Sequence, residues 1–356
     1  MTTFLSTLGL PEIITSILMI VLNAYVLTGG ADFGGGVWDL LARGPRRDEQ
    51  RHLIADAIGP IWEANHVWLI IVVVMLFTAF PLAFSTLSII LYIPLTAMLV
   101  GIVLRGCGVV FRHYGTTAAA ERWSRTFAIA STITPLLLGI CVGAIATGAV
   151  GKAAALLPVS GEHGGATPSF DAVFIAPWLA PFPILVGILA LALFAFLAAV
   201  YLTVAAPNAV LRYDFRRRAY GAAIVVFAAA MCGLLLARTE APDMHLELTG
   251  AARWAMGLQL AIAVSGLFAL GALWREKWGA ARFAAAIQAS LILWGWALSQ
   301  YPYLVPFTIT IHEAAPLITL RLLLWALAAG ALILIPSLVY LFRTFSAARA
   351  EHAASS

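Results

Sequence analysis

Residues 56–80 read DAIGPIWEANHVWLIIVVVMLFTAF, a polar motif followed at once by a long apolar run. Because a membrane-crossing helix needs about 20 mostly apolar residues, this stretch predicts a spanning helix. Its first turn holds Glu63, Asn65 and His66. An ionised group at membrane depth costs roughly 2.5–3.5 kcal/mol even on the most lenient scale, so such groups usually face a protein interior or a water path. We therefore expect the function of the chain to depend on this turn.

The composition of the chain indicates a polytopic membrane protein. Of its 356 residues, 62% are hydrophobic and only 11% are charged, and the mean hydropathy is +0.96. These values exclude a soluble domain with a wetted surface. We predict an all-α fold in which nine apolar stretches cross the membrane. Their approximate limits are 11–29, 58–79, 83–104, 127–148, 175–204, 219–237, 254–273, 284–301 and 319–342.

The 21 Lys and Arg residues are divided unevenly between the two sides of the predicted membrane. Seventeen of them fall in loops one, three, five and seven and in the C-terminal tail, and four fall on the opposite side. By the positive-inside rule the N-terminus is outside and the C-terminus is cytoplasmic, which requires an odd number of spans. This distribution explains the net charge of +4 without a nucleic-acid partner.

The first span leads into the glycine-rich sequence TGGADFGGGVWDLL, residues 28–41. Each of its five glycines would destabilise an isolated helix by about 1 kcal/mol relative to alanine. They therefore indicate either close approach of a neighbouring helix or an irregular segment. Asp32 lies among them, and from this stretch alone it is equally well explained as an interfacial carboxylate at a helix end.

Asp32, Glu63 and His66 should all lie in the cytoplasmic half of the membrane, because the first span ends and the second begins on that side. Glu63 and His66 are three residues apart and share a helix face, which Trp62 and Asn65 flank. A single His in a span is more often a structural hydrogen-bond donor than part of a relay. The neighbouring Glu favours a proton relay that opens to the cytoplasm.

Arg105 ends the third predicted span. An arginine at this boundary either reaches lipid phosphate as an anchor or holds an anionic group, and the sequence favours the anchor. Near the outer face, His312 and Glu313 either belong to a solvated loop or line an exit path. The sequence contains no Walker loop, dinucleotide fingerprint or CxxC pair, and we predict no metal site. Of the seven histidines only His66 lies clearly within a span, so the chain is better equipped to carry protons than to hold haem.

The predicted spans divide into two halves. Residues 1–150 form a first four-helix half that carries the polar motifs, and residues 175–310 form a second four-helix half. Residues 151–174, rich in Gly, Ser and Ala, form an external loop, and residues 311–356 hold a peripheral ninth helix and a cytoplasmic tail. A proton-coupled secondary transporter would share two such halves and buried carboxylates, so this function is an alternative.

The pairing of GGADFGGGVWDLL, residues 29–41, with IGPIWEANHVWLI, residues 58–70, resembles subunit II of the cytochrome bd-type quinol oxidase family. The similarity continues through LRGCGVVFR, residues 104–112, and YPYLVP, residues 301–306, and it covers nearly the whole chain. These motifs are common to the branch with haem d and to the cyanide-insensitive branch.

The resemblance implies the non-haem subunit of a respiratory terminal oxidase in the bacterial cytoplasmic (inner) membrane. Such an oxidase takes electrons from quinol, reduces dioxygen to water and draws protons from the cytoplasm. The resemblance also implies a partner, subunit I, which binds haems b and d, or b only. A small single-helix subunit, a structural quinone and a lipid are further candidate components. The implied fold has two four-helix bundles and a peripheral helix.

The resemblance also implies roles for particular residues. Family residues match Asp32 in the first motif and Trp62 and Glu63 in the second, where many relatives have Asp at the Glu63 position. The expected proton path consists of Asp32, Glu63, Asn65 and His66, and the expected support of the partner's haem region consists of Trp62 and Arg105.

In one position the chain departs from the family pattern. Some members carry a carboxylate just after the tryptophan that matches Trp123, and this chain has Ser124 there. A second proton input at that position is therefore not expected. A purely structural role, as an assembly partner of subunit I, is a third alternative.

Overall fold

The computed structural model describes residues 9–58, 62–114, 117–157, 168–251 and 254–355, and most of these residues are helical. The helices are α1 (Leu10–Leu40), α2 (Arg47–Ile58), α3 (Trp62–Ala79), α4 (Pro81–Ile90), α5 (Tyr92–Tyr114), α6 (Thr117–Ala146), α7 (Ala149–Ala154), α8 (Phe170–Phe174), α9 (Pro181–Ala205), α10 (Ala209–Glu240), α11 (Pro242–Leu246), α12 (Ala255–Trp274), α13 (Trp278–Gln300) and α14 (Leu317–Ser355). A π-helical turn (Glu247–Ala251) follows α11, and a two-stranded antiparallel hairpin, β1 (Tyr303–Val305) and β2 (Ile309–Thr310), joins α13 to α14.

Nine of the helices in the described ranges are long and apolar enough to cross a membrane, namely α1, α3, α5, α6, α9, α10, α12, α13 and α14. Large apolar side chains are exposed along these helices, as expected for surfaces that face lipid. The prediction of an all-α fold with nine spans is confirmed. The position of the N-terminus outside and of the C-terminus in the cytoplasm stays a prediction.

The glycine-rich motif does not end α1, which continues through it to Leu40. Its glycines lie where α1 meets α9 and α6. A Cβ atom on Gly34 would overlap the backbone oxygen of Phe194 in α9, and one on Gly36 would overlap the side chain of Ser131 in α6. Close helix approach is therefore the right explanation of this motif, and the irregular segment is wrong.

Two spans begin six or more residues later than the sequence predicts. For the third the sequence predicts 83–104, whereas α4 ends at Ile90 and α5 begins at Tyr92. Pro94, in the first turn of α5, has no N–H to donate to the carbonyl of Ile90, which explains the break. For the fifth the sequence predicts 175–204, whereas α9 begins at Pro181, a residue type that favours the first position of a helix.

Helix α2 lies within the first predicted loop. Its buried side chains are Gln50, Leu53, Ile54 and Ile58, which recur at helical spacing. Leu53, Ile54 and Ile58 belong to the same apolar core as α9. The sequence pattern does not predict this helix, because the surrounding charges obscure its short apolar stripe.

The core joins the two predicted halves of the chain. Helix α9 packs along α1 and α6, and across this contact Trp38 Nε1 donates a hydrogen bond to Ala195 O at 2.7 Å. On its other sides α9 packs against α10 and α13, and α12 packs against α13. Helix α14 packs on α3 and α1, and most of its side chains are exposed. The division at 151–174, of which residues 158–167 lie outside the described ranges, stays a prediction.

Replacing Gly34 with Ala tests the close contact between α1 and α9. Because the added methyl group overlaps a backbone atom, G34A is expected to lower stability by about 1–3 kcal/mol. The matched control is G221A in α10, where a Cβ meets nothing within 4 Å and alanine should raise helix stability by up to about 1 kcal/mol. The measurement is the thermal unfolding midpoint of the detergent-purified protein. Equal midpoints for the two variants would contradict the contact.

Candidate functional site

Four spanning helices bring polar side chains together. Asp32 comes from α1, Asn65 and His66 from α3, and Arg105 from α5, and Ser131 of α6 lies beside them. We call these five residues the polar cluster. All of them are buried except His66, which is partly buried. The glycines of α1 have no side chain, so α6 approaches α1 closely enough to complete the cluster.

Asp32 is held by two neighbours. Asn65 Nδ2 donates a hydrogen bond to Asp32 Oδ2 at 2.5 Å, and the positive charge of Arg105 interacts electrostatically with the same carboxylate. A buried carboxylate needs such hydrogen bonds and a countercharge, because burial removes its hydration. Asp32 is 4% exposed and lies two turns before the end of α1, so it is not an interfacial carboxylate at a helix end.

Arg105 is fully buried and therefore is not a lipid anchor, the role that the sequence favours. Its Nε donates to Ser131 Oγ at 3.2 Å, and its Nη1 lies 3.1 Å from His66 Nε2. The guanidinium also lies over the ring of Phe33, with Cζ 4.6 Å from the ring centroid. The second explanation, an arginine that interacts with an anionic group, agrees with the electrostatic interaction between Arg105 and Asp32.

His66 is oriented by Arg105 and by aromatic rings. Because a guanidinium has donors only, His66 Nε2 accepts the hydrogen bond, which places the proton of the neutral ring on Nδ1. The ring of Trp62 meets the imidazole edge-on at 5.9 Å between centroids, and the rings of Phe33 and Tyr25 lie at 6.1 and 6.5 Å. These three rings form the aromatic wall of the polar cluster, and His66 contacts both this wall and the buried arginine.

Glu63 does not join the polar cluster. On α3, Asn65 and Met75 are buried, whereas Glu63 is exposed and shares the opposite face with Ile70 and Phe77, which are also exposed. Spacing by three residues places Glu63 and His66 near each other on the helix surface, but the two side chains fall on either side of the boundary of the buried face. The sequence groups Glu63 with Asp32, and the structure separates them.

Asp39 is a buried carboxylate that is not among the site residues predicted from the sequence. It is 2% exposed, and Arg51 Nε of α2 lies 3.4 Å from its Oδ1. Asp39 follows Asp32 by seven residues, so the two lie on one face of α1 about 10 Å apart along the axis. Between them Gly36 packs against Ser131. The seven-residue spacing between Asp32 and Asp39 is the sequence feature that would have predicted this second buried carboxylate.

The remaining predicted residues have structural contacts. Trp62 packs against Gly106 as well as His66, so its ring belongs to the wall of this chain's own cluster. His312 Nδ1 lies 3.6 Å from Glu12 Oε1 at the start of α1, and Glu313 Oε1 accepts a hydrogen bond from Thr310 N. Among the described residues no group of three or more His, Cys, Asp and Glu is placed to hold a metal ion.

Comparisons with known proteins agree with this architecture. Residues 10–345 match the family model of the cytochrome bd terminal oxidase subunit II. The chain is 27% identical over 130 residues to subunit 2 of the cytochrome bd-I ubiquinol oxidase of Escherichia coli K12, an alignment that covers 36% of this chain and 34% of that one. It is 32% identical over 114 residues to subunit 2 of the cytochrome bd ubiquinol oxidase of Bacillus subtilis, which covers 31% of this chain and 32% of that one.

A solved structure shares the fold. A chain of the bd oxidase from Geobacillus thermodenitrificans superposes with a TM-score of 0.76 and 23% sequence identity, and the superposition covers 95% of this chain and 99% of that one. The alignments to the E. coli and B. subtilis subunits cover only about a third of their length. The family model spans nearly the whole chain, which therefore belongs to the cytochrome bd terminal oxidase subunit II family and is a multi-pass protein of the bacterial inner membrane.

Proposed function

We propose that this chain is the non-haem subunit of a bd-type respiratory oxidase, which oxidises quinol and reduces dioxygen to water, and that it supplies part of the cytoplasmic proton path. The observation that carries the proposal is the polar cluster, in which Asp32 is buried among Asn65, His66 and Arg105 in a chain of this family. The chain is not catalytic alone. Its contribution is a proton path and the support of a haem-bearing partner, subunit I.

The exposed face of α3 supports the proposal of a partner. Glu63 begins a stripe that continues through Ile70, Val74 and Phe77, all of them exposed. A carboxylate within the membrane rarely faces lipid, because the ionised form is poorly solvated there. We infer that this stripe meets subunit I and that Glu63 serves a proton path at the interface.

The buried carboxylates of α1 support a proton path within the chain. Asp39 and Asp32 are the buried carboxylates among the described residues, and they lie on one face of the helix. If the basic loops are cytoplasmic, as the positive-inside rule predicts, Asp39 and its ion-pair partner Arg51 would lie at the entrance of the path and Asp32 would lie deeper. The hydroxyl of Ser131 lies beside Gly36, which is between Asp32 and Asp39 along α1. This hydroxyl provides a hydrogen-bonding group on the proposed path.

The polar cluster does not fit a haem bound within this chain. Its single imidazole directs Nε2 to Arg105 at 3.1 Å, so that nitrogen is already engaged. We therefore propose that haems b and d, or b only, belong to subunit I. Trp62 and Arg105 would act on that region through His66 and α3, and a structural quinone, a lipid or a small single-helix subunit would be an additional component of the complex.

Purification of the complex tests the proposal directly. The tagged chain, taken from its native membrane in mild detergent, should bring a larger haem-bearing polypeptide with it. A reduced-minus-oxidised absorption spectrum of that sample should show b- and d-type bands or b-type bands only. A colourless chain that is repeatedly isolated alone and intact would contradict the proposal and favour the proton-coupled transporter.

Replacing Asp32 with Asn tests the path within the chain. D32N keeps the size of the side chain and its contact with Asn65 but removes the group that takes up a proton. We expect quinol-dependent oxygen consumption to fall at least about tenfold, as for other losses of a proton-transferring side chain. Because D32N also removes the charge that opposes Arg105, the loss is assigned to the path only if the haem spectrum and the co-purification of subunit I are unchanged. D243N, at an exposed residue on the predicted outer side, is the matched control, and equal activity of the two variants would remove Asp32 from the path.

Replacing Glu63 with Gln tests the path at the proposed interface. E63Q should slow oxygen consumption while haem content and co-purification of subunit I are retained, and E63D should restore most of the rate. Wild-type turnover in E63Q would exclude the relay role and leave the subunit assignment intact. Retained activity in the double variant D32N/E63Q would favour the purely structural role.

A further inference from the structure

A basic cleft of about 390 Å³ lies between the C-terminal end of α1, the α1–α2 connection and the first turns of α10, away from the polar cluster. Four arginines, Arg43, Arg46, Arg217 and Arg218, line it together with Trp38. One carboxylate, Asp214, offsets them, so the lining carries a formal charge of +3. The volume falls within the roughly 300–1,000 Å³ of ligand pockets.

The cleft is held in shape by hydrogen bonds among its own lining residues. Arg46 donates to both oxygens of Asp214, at 2.9 and 2.7 Å. Gln50 Nε2 donates to Asp214 Oδ2 at 2.8 Å, and Gln50 Oε1 accepts from Arg218 Nη2 at 2.6 Å. These contacts connect α2 to α10 and hold Arg46 and Arg218 in place before any ligand binds.

Arg218 is the innermost of these cations. Its Cζ lies 5.4 Å from the centroid of the Trp38 ring and 5.0 Å from that of Phe215, so two aromatic side chains fix the guanidinium plane. Its Nη1 is buried and has no hydrogen-bond acceptor among the described residues. Arg218 is only partly buried and lines the cleft, so the accessible part of this positioned guanidinium is suited to bind the oxygens of a phosphate.

The cleft opens toward the apolar surface of α10. Gly221 lies at its edge, and a Cβ built there would meet nothing within 4 Å, so the helix surface is open at this point. Three and four residues further along the same helix, Ile224 and Val225 are exposed apolar side chains. The basic cleft therefore continues into a surface suited to hydrocarbon.

We propose that this cleft binds the phosphate group of an anionic phospholipid of the cytoplasmic leaflet, with the acyl chains lying along α10 past Gly221. Arg43 and Arg217, which are exposed, and Arg218, which is partly buried, would contact the phosphate oxygens. Basic pockets at the cytoplasmic ends of spanning helices bind such headgroups. A free phosphate would satisfy the arginines equally well, but it would leave the apolar continuation of the cleft unused.

Native mass spectrometry of the purified protein, with whatever partner it retains, tests the proposal. The protein is titrated with phosphatidylglycerol, with zwitterionic phosphatidylethanolamine and with inorganic phosphate. R43Q/R217Q should weaken phosphatidylglycerol binding roughly 10- to 30-fold, as expected for the loss of two surface cations. The matched control, R275Q/K277Q, removes two exposed cations outside the cleft and should bind like wild type.

A second variant separates lipid from free phosphate. G221L fills the open surface beside the cleft and leaves the arginines in place, so it should weaken phosphatidylglycerol binding without changing the binding of inorganic phosphate. G271L in α12, where a Cβ also meets nothing within 4 Å, is its control. Equal phosphatidylglycerol binding by wild type and R43Q/R217Q would overturn the site. If inorganic phosphate displaces phosphatidylglycerol at equal concentration, the proposed lipid ligand would be wrong and the ligand would be a free phosphate.

Discussion

The structure depends on one buried cation. Arg105 is fully enclosed within the spanning region, and an unsolvated guanidinium is stable only when its charge and its donors are met by the protein. Asp32 provides the opposing charge, Ser131 and His66 accept hydrogen bonds, and Phe33 covers the guanidinium face. These residues come from four helices, so the register and rotation of each helix relative to the others are constrained by a single side chain.

Much of the architecture could be predicted from the sequence. Nine apolar runs predicted nine spans, because a lipid environment requires long helices with satisfied backbone groups. Asp32, Asn65 and His66 could be predicted as a site because polar side chains inside a span are costly and need a partner. The glycines around Asp32 indicated close packing, and the contact of Gly34 with Phe194 leaves no room there for a Cβ atom.

Other features could not be read from the sequence, for a reason particular to membranes. In a soluble protein, hydrophobicity distinguishes the buried face of a helix from the exposed face. In α3 both faces are apolar, because lipid covers one and protein the other, so nothing in the sequence shows that Asn65 is buried and Glu63 exposed. Arg105 was misjudged for a related reason: its position near the end of a run does not reveal that α5 continues to Tyr114.

The contact between α1 and α9 limits how the molecule can move. Helices that meet with backbone atoms in direct contact, as at Gly34 and Phe194, fit in one relative position and lose that fit when they slide or separate. Alternating access in a carrier depends on rocking one half of the protein against the other. Here such rocking would separate α1 from α9 and break the hydrogen bond between Trp38 and Ala195. These contacts hold α1 and α9 in one relative position, which suits the proposed proton path and disfavours a transport cycle that needs the two predicted halves to rock.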